Sequence, residues 1–124
     1  MVTNRVTPRE TDEQAAVIEW WGWKSKAWDI PPHLLFHIPN EGSGSPARGR
    51  LLKKQGVRAG CPDLCLSVAR GEFFGLFVEM KRKGGRCTPD QVAFHADLRA
   101  QGYRVEVCHG AQAAIDVITA YMLS

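Results

Sequence analysis

Two acidic residues and a lysine are spaced along the chain in a way that suits divalent-metal chemistry. Asp63 follows Gly60-Cys61-Pro62, and after fifteen intervening residues the chain reads Glu79-Met80-Lys81. The intervening residues have the pattern of two strands joined by a turn, and such a hairpin returns the chain to its starting point. Alternate residues of a strand share a face, so Lys81 is expected beside Glu79. Two carboxylates and an ammonium predict a site for a hard divalent cation with a basic group near its water.

The elements that must position these residues alternate between helices and strands. Thr7, Pro8 and Glu10 read as an N-cap, a first helical residue and a capping-box partner, which predicts a helix from there to about Lys26. The other predicted elements are a strand over 34–38, a basic helix over 47–55 ending at Gly56, hairpin strands over 63–69 and 74–81, a helix from Thr88 to about Gln101, a strand over 103–108 and a helix from about Ala111. The order α-β-α-β-β-α-β-α predicts an α/β fold with a central mixed sheet flanked by helices.

The size and composition of the chain limit its class. A length of 124 residues predicts a single domain over residues 1–124. Its hydrophobic fraction of 44% and charged fraction of 23% are typical of a soluble globular protein. No apolar run approaches the roughly 20 residues that a membrane span needs. The first residues lack the apolar stretch of a signal peptide, which predicts a cytoplasmic setting.

Positive charge is concentrated on either side of the hairpin. Although the net charge is only +3, nine of the sixteen lysines and arginines fall in two short segments. These are Arg48, Arg50, Lys53, Lys54 and Arg58 before the hairpin, and Lys81, Arg82, Lys83 and Arg86 after it. Basic groups around an acidic centre favour a polyanion backbone held near a metal, although a solvated surface is the simpler alternative.

Several segments together resemble one nuclease family. They are His37-Ile38-Pro39-Asn40, residues 52–64, residues 75–81, Gln91 and Gly102-Tyr103-Arg104-Val105. In this combination the chain resembles the VRR-NUC family of the PD-(D/E)XK nuclease superfamily, in its short stand-alone form of phage or bacterial type. The resemblance extends from about Glu10 to Tyr121 and implies a restriction-endonuclease-like core.

The resemblance also implies roles for the central residues. Asp63, Glu79 and the backbone carbonyl of Met80 would bind Mg²⁺ or Mn²⁺, and Lys81 would orient the attacking water. Glu10, four residues before Gln14, matches a further acidic position of the family and would reach the metal directly or through water.

Three of the residues have competing explanations. Glu10 is also explained by a capping box with Thr7, and Glu13 is the alternative acidic residue on that helix. Gln91 would hydrogen-bond the water or the lysine, or would complete a capping box with Thr88. Asn40 would contact the scissile phosphate, or would serve as a turn residue after Pro39.

The resemblance implies that the protein is a metal-dependent, structure-selective DNA endonuclease that hydrolyses phosphodiester bonds. Stand-alone members behave as Holliday-junction resolvases, which predicts a homodimer on branched DNA, with part of the Trp20, Trp21, Trp23 and Trp28 cluster at its interface. The predicted DNA-backbone contacts are Asn40, Arg48, Arg50, Lys53, Lys54, Arg58, Arg82 and Lys83. The alternatives are a flap, nicking or general DNA nuclease of the same fold, and a non-catalytic DNA-binding module.

Overall fold

The computed structural model describes residues 9–39 and 45–124, and it has the predicted α/β architecture of a mixed sheet flanked by helices. The helices are α1 (Glu10–Ala27), α2 (Pro46–Lys54), α3 (Pro89–Ala100) and α4 (Ala111–Met122). The strands are β1 (Leu35–His37), β2 (Leu64–Leu66), β3 (Leu76–Lys81) and β4 (Arg104–His109). A 3₁₀ turn over Pro32–Leu34 leads into β1, so this strand is shorter than the predicted 34–38.

The four strands lie in the order β1-β2-β3-β4. β1 pairs with β2 and β2 with β3 in antiparallel fashion, whereas β3 and β4 are parallel. The β2–β3 pair is the predicted hairpin, although both strands are shorter than expected, because the chain leaves the ladder after Leu66 and turns at a bridge between Arg70 and Phe73. The antiparallel pairing of β2 with β3 brings the start of β2 beside the end of β3.

The two faces of the sheet have different roles. Leu64, Val78 and Met80 of the hairpin point into the main apolar core, where they meet residues of α1 and α4 such as Trp21 and Ile118. Neighbouring residues of a strand point to opposite faces, so Asp63 and Glu79 project from the other face. α3 packs on that second face, which makes it the helix that covers the acidic pair.

The first helix differs from its predicted start. α1 begins at Glu10, with Arg9 as an N-cap that makes no side-chain capping bond. Glu10 is therefore the first helical residue rather than the third, and the predicted capping box with Thr7 is wrong on that point. Thr7 and Pro8 lie outside the described residues. The Glu10 carboxylate is thus not committed to capping its own helix.

Three of the four tryptophans form one aromatic cluster. The rings of Trp20, Trp21 and Trp28 lie 6.2 Å apart, centroid to centroid, in each pair. Trp21 is buried and its indole N–H donates to the carbonyl of Pro32 at 2.9 Å. Trp23 is 61% exposed. Packing inside the domain therefore accounts for three members of the cluster and leaves Trp23 on the surface.

The helices beside the hairpin begin and end at residues suited to those positions. Ser45 caps α2 by accepting a hydrogen bond from the backbone N–H of Arg48, and Gly56 follows the helix with a φ of 105°. Gly60 has a φ of 88°, and a Cβ there would lie 2.5 Å from the carbonyl oxygen of Asp90. A glycine at position 60 therefore lets the chain before Asp63 lie directly against the start of α3.

Candidate active site

The hairpin places Asp63 and Glu79 opposite each other. The register pairs Leu64 with Val78, so the next residues along the two strands, Asp63 and Glu79, face each other. Oδ2 of Asp63 accepts a hydrogen bond from the backbone N–H of Met80 at 2.7 Å. This bond ties the end of one strand to the other and fixes the Asp63 carboxylate beside Glu79. The juxtaposition is the one that the sequence predicts.

Glu79 lies in an environment that disfavours its charge. Its exposed fraction is 1%. Burial raises the pKa of Glu79 to about 9, and both a side-chain hydrogen bond with Asp63 and the charge of Asp63 act in the same direction. The nearby ammonium of Lys81 opposes that rise in pKa. Two adjacent carboxylates, one of them buried, need either a shared proton or a cation to be stable together.

This donor set fits a hard divalent cation. Among residues 9–39 and 45–124, no group of three or more His, Cys, Asp and Glu side chains is arranged to hold a metal. Mg²⁺ is usually held by one or two carboxylates and keeps several of its waters. Asp63 and Glu79 supply that number of carboxylates. The carbonyl of Met80 remains a predicted ligand, and its side chain is buried in the core.

Lys81 completes the acidic pair with a buried positive charge. It lies two residues beyond Glu79 on β3 and is 8% exposed. Its carbonyl accepts a hydrogen bond from the backbone N–H of Gly110 at 3.1 Å, which ties the end of β3 to the start of α4. A lysine with so little exposure is rare unless charged groups lie near it, and Lys81 is close enough to Glu79 to lower the pKa of that carboxyl.

A histidine outside the predicted set of site residues contacts the pair directly. His95 on α3 is 3% exposed, and its Nε2 lies 3.2 Å from Oε1 of Glu79. Burial lowers the pKa of His95, and the charges of Arg99 and Lys81 lower it further. The sequence feature that could have indicated this contact is spacing. His95 lies four residues after Gln91 and therefore on the same face of α3.

Of the two glutamates considered on α1, Glu10 is the one that lies toward the site. Its Oε1 is 3.4 Å from the backbone nitrogen of Arg82, next to Lys81, and its charge contributes to the raised pKa of Glu79. Glu13 instead accepts a hydrogen bond from the backbone N–H of Ala111, the first residue of α4. Glu13 therefore satisfies the start of a helix, which leaves Glu10 as the α1 carboxylate near the acidic pair.

Gln91 forms a capping box with Thr88, which is one of the two roles that the sequence predicts for it. Its Oε1 accepts from the backbone N–H of Thr88 at 2.9 Å, while Thr88 Oγ1 accepts from the backbone N–H of Gln91 at 3.2 Å. The side-chain oxygen of Gln91 is thereby committed to the start of α3. Its predicted catalytic role is untested and remains a prediction that would rest on its amide nitrogen.

The backbone of Asp63 is held from the β1 side. Its carbonyl accepts from the backbone N–H of Ile38 at 2.8 Å, and Nδ1 of His37 lies 2.9 Å from the same oxygen. His37 thus supports Asp63 through its main chain. Asn40, predicted to contact DNA, lies outside the described residues.

The predicted basic contacts all lie on the surface. Neither of the two ion pairs found in the described part of the chain, His95–Glu79 and Arg104–Glu106, involves them. The exposed basic residues are Arg48, Arg50, Lys53, Lys54, Arg58, Arg82 and Lys83. Their charges are therefore available to an anionic partner.

A mixed sheet between helices, with an acidic pair and a lysine at the end of its central hairpin, defines a nuclease-like α/β domain, and comparisons with known proteins agree. A model of the VRR-NUC domain family matches residues 8–112. A solved structure described as a VRR-NUC domain protein has a TM-score of 0.79 and 30% sequence identity, over 95% of this chain and 91% of that one. A search of curated proteins finds no match. The chain belongs to the VRR-NUC domain family and carries a nuclease-type domain.

The described helices do not meet the requirements of a membrane span. None of those within residues 9–39 and 45–124 combines the length and the apolar character needed to cross a bilayer.

Proposed function

We propose that this protein is a Mg²⁺- or Mn²⁺-dependent DNA endonuclease that acts on branched DNA, as a homodimer of the junction-resolving kind. The observation that carries the proposal is the adjacency of Asp63 to the buried Glu79, with the buried Lys81 two residues further along β3, in a chain of the VRR-NUC family. A purely structural hairpin gains nothing from burying one of two adjacent carboxyl groups, because burial and the neighbouring Asp63 both raise the pKa of Glu79 and disfavour its charged form.

Asp63 and Glu79 would hold the divalent cation, with Glu10 reaching it directly or through a water. When bound, such an ion polarises a water and offsets negative charge on a phosphate. The chain contributes the fixed positions of its carboxylates, because the Met80 N–H holds Asp63 and the strand register holds Glu79. Such preorganisation is worth more in a buried site than in water.

Lys81 would act on the attacking water and on the phosphate. Its ammonium donates hydrogen bonds and stabilises the negative charge that develops as the water oxygen forms a bond to phosphorus. The bond from phosphorus to one deoxyribose oxygen breaks, and that oxygen takes up a proton in place of the one that the attacking water loses. Because Lys81 is largely buried, this charge acts with little screening by solvent.

The exposed basic residues would hold the DNA backbone next to this centre. α2 contributes Arg48, Arg50, Lys53 and Lys54, and none of its residues is buried. Contacts from such residues to phosphates orient a duplex without reading its sequence. Selection by the shape of the DNA is therefore the specificity that this surface supports.

A homodimer would supply the two active sites that paired incisions require. Trp23 supports this part of the proposal, since a tryptophan that is 61% exposed is the type of residue enriched in protein interfaces. Single incisions by a monomer would instead indicate a nicking or flap nuclease of the same fold.

The proposal is tested by incubating the protein with a labelled four-way junction, a flap and a plain duplex. Each substrate is combined with Mg²⁺, Mn²⁺ or a chelator, and the oligomeric state is measured by light scattering. We expect paired symmetric cuts in the junction, only with metal, from a dimer.

Each alternative has a distinct outcome in this experiment. Cleavage of the flap or of one strand in preference to the junction would replace the resolving activity with another nuclease specificity. DNA binding without cleavage of any substrate in either metal would favour a non-catalytic DNA-binding module.

A further inference from the structure

Glu79 is held from a second side by a residue that the proposed chemistry does not use. His95 lies on α3, whereas Asp63, Glu79 and Lys81 belong to the hairpin. The imidazole Nε2 is 3.2 Å from Oε1 of Glu79, and both side chains are almost completely buried. Two buried polar groups from separate elements that meet at hydrogen-bonding distance constrain each other's orientation.

α3 itself is fixed at both ends, so the position of His95 is well defined. The capping box of Thr88 and Gln91 closes the start of the helix. Near its end, the Arg99 guanidinium donates to the carbonyl of Val105 on β4 at 2.8 Å. Gly60 additionally allows the loop before Asp63 to lie against the first turn. The helix is therefore anchored both to the sheet and to the chain that leads into the site.

We propose that His95 is a positioning residue for Glu79, whose Nε2–H donates to Oε1 and so leaves the other carboxylate oxygen for a divalent cation. This inference rests on the proposed function, since it concerns the same site. A buried carboxylate can rotate about its side-chain torsions, and a donor on one oxygen removes that freedom. Such partners of metal ligands orient the ligand and tune its affinity.

The partner of His95 determines which ring nitrogen would carry the hydrogen. When Glu79 binds a cation as a carboxylate, the oxygen that faces Nε2 would favour the tautomer with the hydrogen on that atom. His95 would then donate to Oε1 without competing with the cation for the site.

The test uses the full chain with three substitutions at His95 and one matched control. His95→Phe keeps a ring but removes the donor, His95→Gln places an amide N–H within reach of Glu79, and His95→Asn has the same amide on a shorter side chain. Leu98→Ala, on the same helix, shortens a half-buried apolar side chain and leaves the imidazole of His95 in place. For each protein we would measure the Kd for Mn²⁺ by calorimetry without DNA, the Tm, and kcat and KM for DNA cleavage.

We expect His95→Phe and His95→Asn to weaken Mn²⁺ binding by about 10- to 100-fold, the range found for residues that orient metal ligands. His95→Gln should bind within a few-fold of the wild type, and kcat should follow the loss of affinity while KM for DNA stays constant. Leu98→Ala should lower the Tm and leave the Kd unchanged.

An unchanged Mn²⁺ Kd in His95→Phe would overturn the positioning role. If that variant does not fold, the Asn and Gln variants decide, and equal Kd values for those two would overturn it. A different result would contradict the proposed function itself: a wild-type protein that binds no Mn²⁺ and cuts no DNA. The positioning role would then be contradicted as well. If the wild type binds Mn²⁺ and cuts DNA, and His95→Phe has the same Kd for Mn²⁺, only the positioning role is contradicted.

Discussion

The hairpin site and helix α2 are built in opposite ways. In the site, Asp63, Glu79 and Lys81 of the hairpin meet His95 of α3, and the group is held by strand register, a main-chain N–H and burial. In α2, basic side chains follow one another along one short helix, and none of its residues is buried. Catalysis requires fixed groups that are shielded from water, whereas attraction to a polyanion requires only exposed charge. The two regions should therefore fail independently when they are mutated.

The largest effect is expected from the carboxylates. Asp63→Asn and Glu79→Gln should each lower kcat by about 10³-fold or more, because a metal's charge stabilisation is worth several kcal/mol and each 1.4 kcal/mol is tenfold in rate. Affinity for DNA should stay within a few-fold of the wild type. Glu72→Gln, in the exposed hairpin turn, is the matched control and should cleave normally. A parallel loss of DNA affinity would contradict the separation of the two regions.

Lys81 should be the next most sensitive position. Lys81→Met keeps much of the side-chain volume and removes the charge, and we expect kcat to fall by about 10²- to 10³-fold, as when one preorganised donor is lost. The exposed neighbour Lys83 provides the control, since Lys83→Met should affect only DNA binding. Equal kcat values for the two variants would show that the buried ammonium has no special role.

Metal binding should depend on pH because of Glu79. Without a cation the pKa of Glu79 is about 9, so at neutral pH this carboxyl holds a proton that a cation must displace. The Kd for Mn²⁺ should therefore fall as pH rises, by up to about tenfold per pH unit below that pKa. Calorimetry at pH 6, 7 and 8, in buffers of different ionisation enthalpy, measures both the Kd and the released proton. A Kd that does not change with pH would contradict the raised pKa.

α2 should influence affinity rather than rate. In the double variant Lys53→Gln/Lys54→Gln we expect a higher KM, an unchanged kcat, and a salt dependence of binding that is shallower by about 0.9 for each lost phosphate contact. Lys26→Gln on α1 is a control of the same chemistry at an exposed position on another helix. A change in kcat without a change in KM would place α2 in the reaction instead.

The smallest effect is expected at the start of α3. Thr88→Val removes one half of the capping box and Gln91→Ala the other, and each should lower stability by about 1 kcal/mol, or a few degrees in Tm. Because Gln91 Oε1 is committed to the cap, cleavage at 25 °C should fall by less than about tenfold in both variants. A much lower kcat in Gln91→Ala than in Thr88→Val, at equal Tm, would show that Gln91 acts on the reaction.

Local patterns in the sequence were sufficient to predict most of the elements and the acidic pair. The return of the chain through a hairpin predicted Asp63 beside Glu79, and Thr88-Pro89-Asp90-Gln91 predicted the start of α3. Both depend on residues close together in the chain, where spacing determines geometry. The same reasoning placed the start of α1 too early, because Thr7-Pro8-Arg9-Glu10 has a similar pattern but the helix begins at Glu10.

The contacts between distant elements were not predictable in the same way. His95 meets Glu79 because α3 packs on the hairpin, and Glu13 reaches Ala111 because α1 lies beside α4. Neither His95 nor Glu13 lies in a local sequence motif that predicts its partner. The choice between Glu10 and Glu13 needed the packed structure, since both are acidic residues in the first turn of the same helix.

The most direct test of the central claim compares metal binding with cleavage in the same protein. Mn²⁺ is titrated into the wild type and into Asp63→Asn, with binding followed by calorimetry and single-turnover cleavage of a labelled four-way junction followed on gels. The account predicts that wild-type cleavage appears over the same Mn²⁺ concentrations as binding, and that Asp63→Asn loses both. Cleavage that persists in a chelator, or at a normal rate in Asp63→Asn, would contradict it.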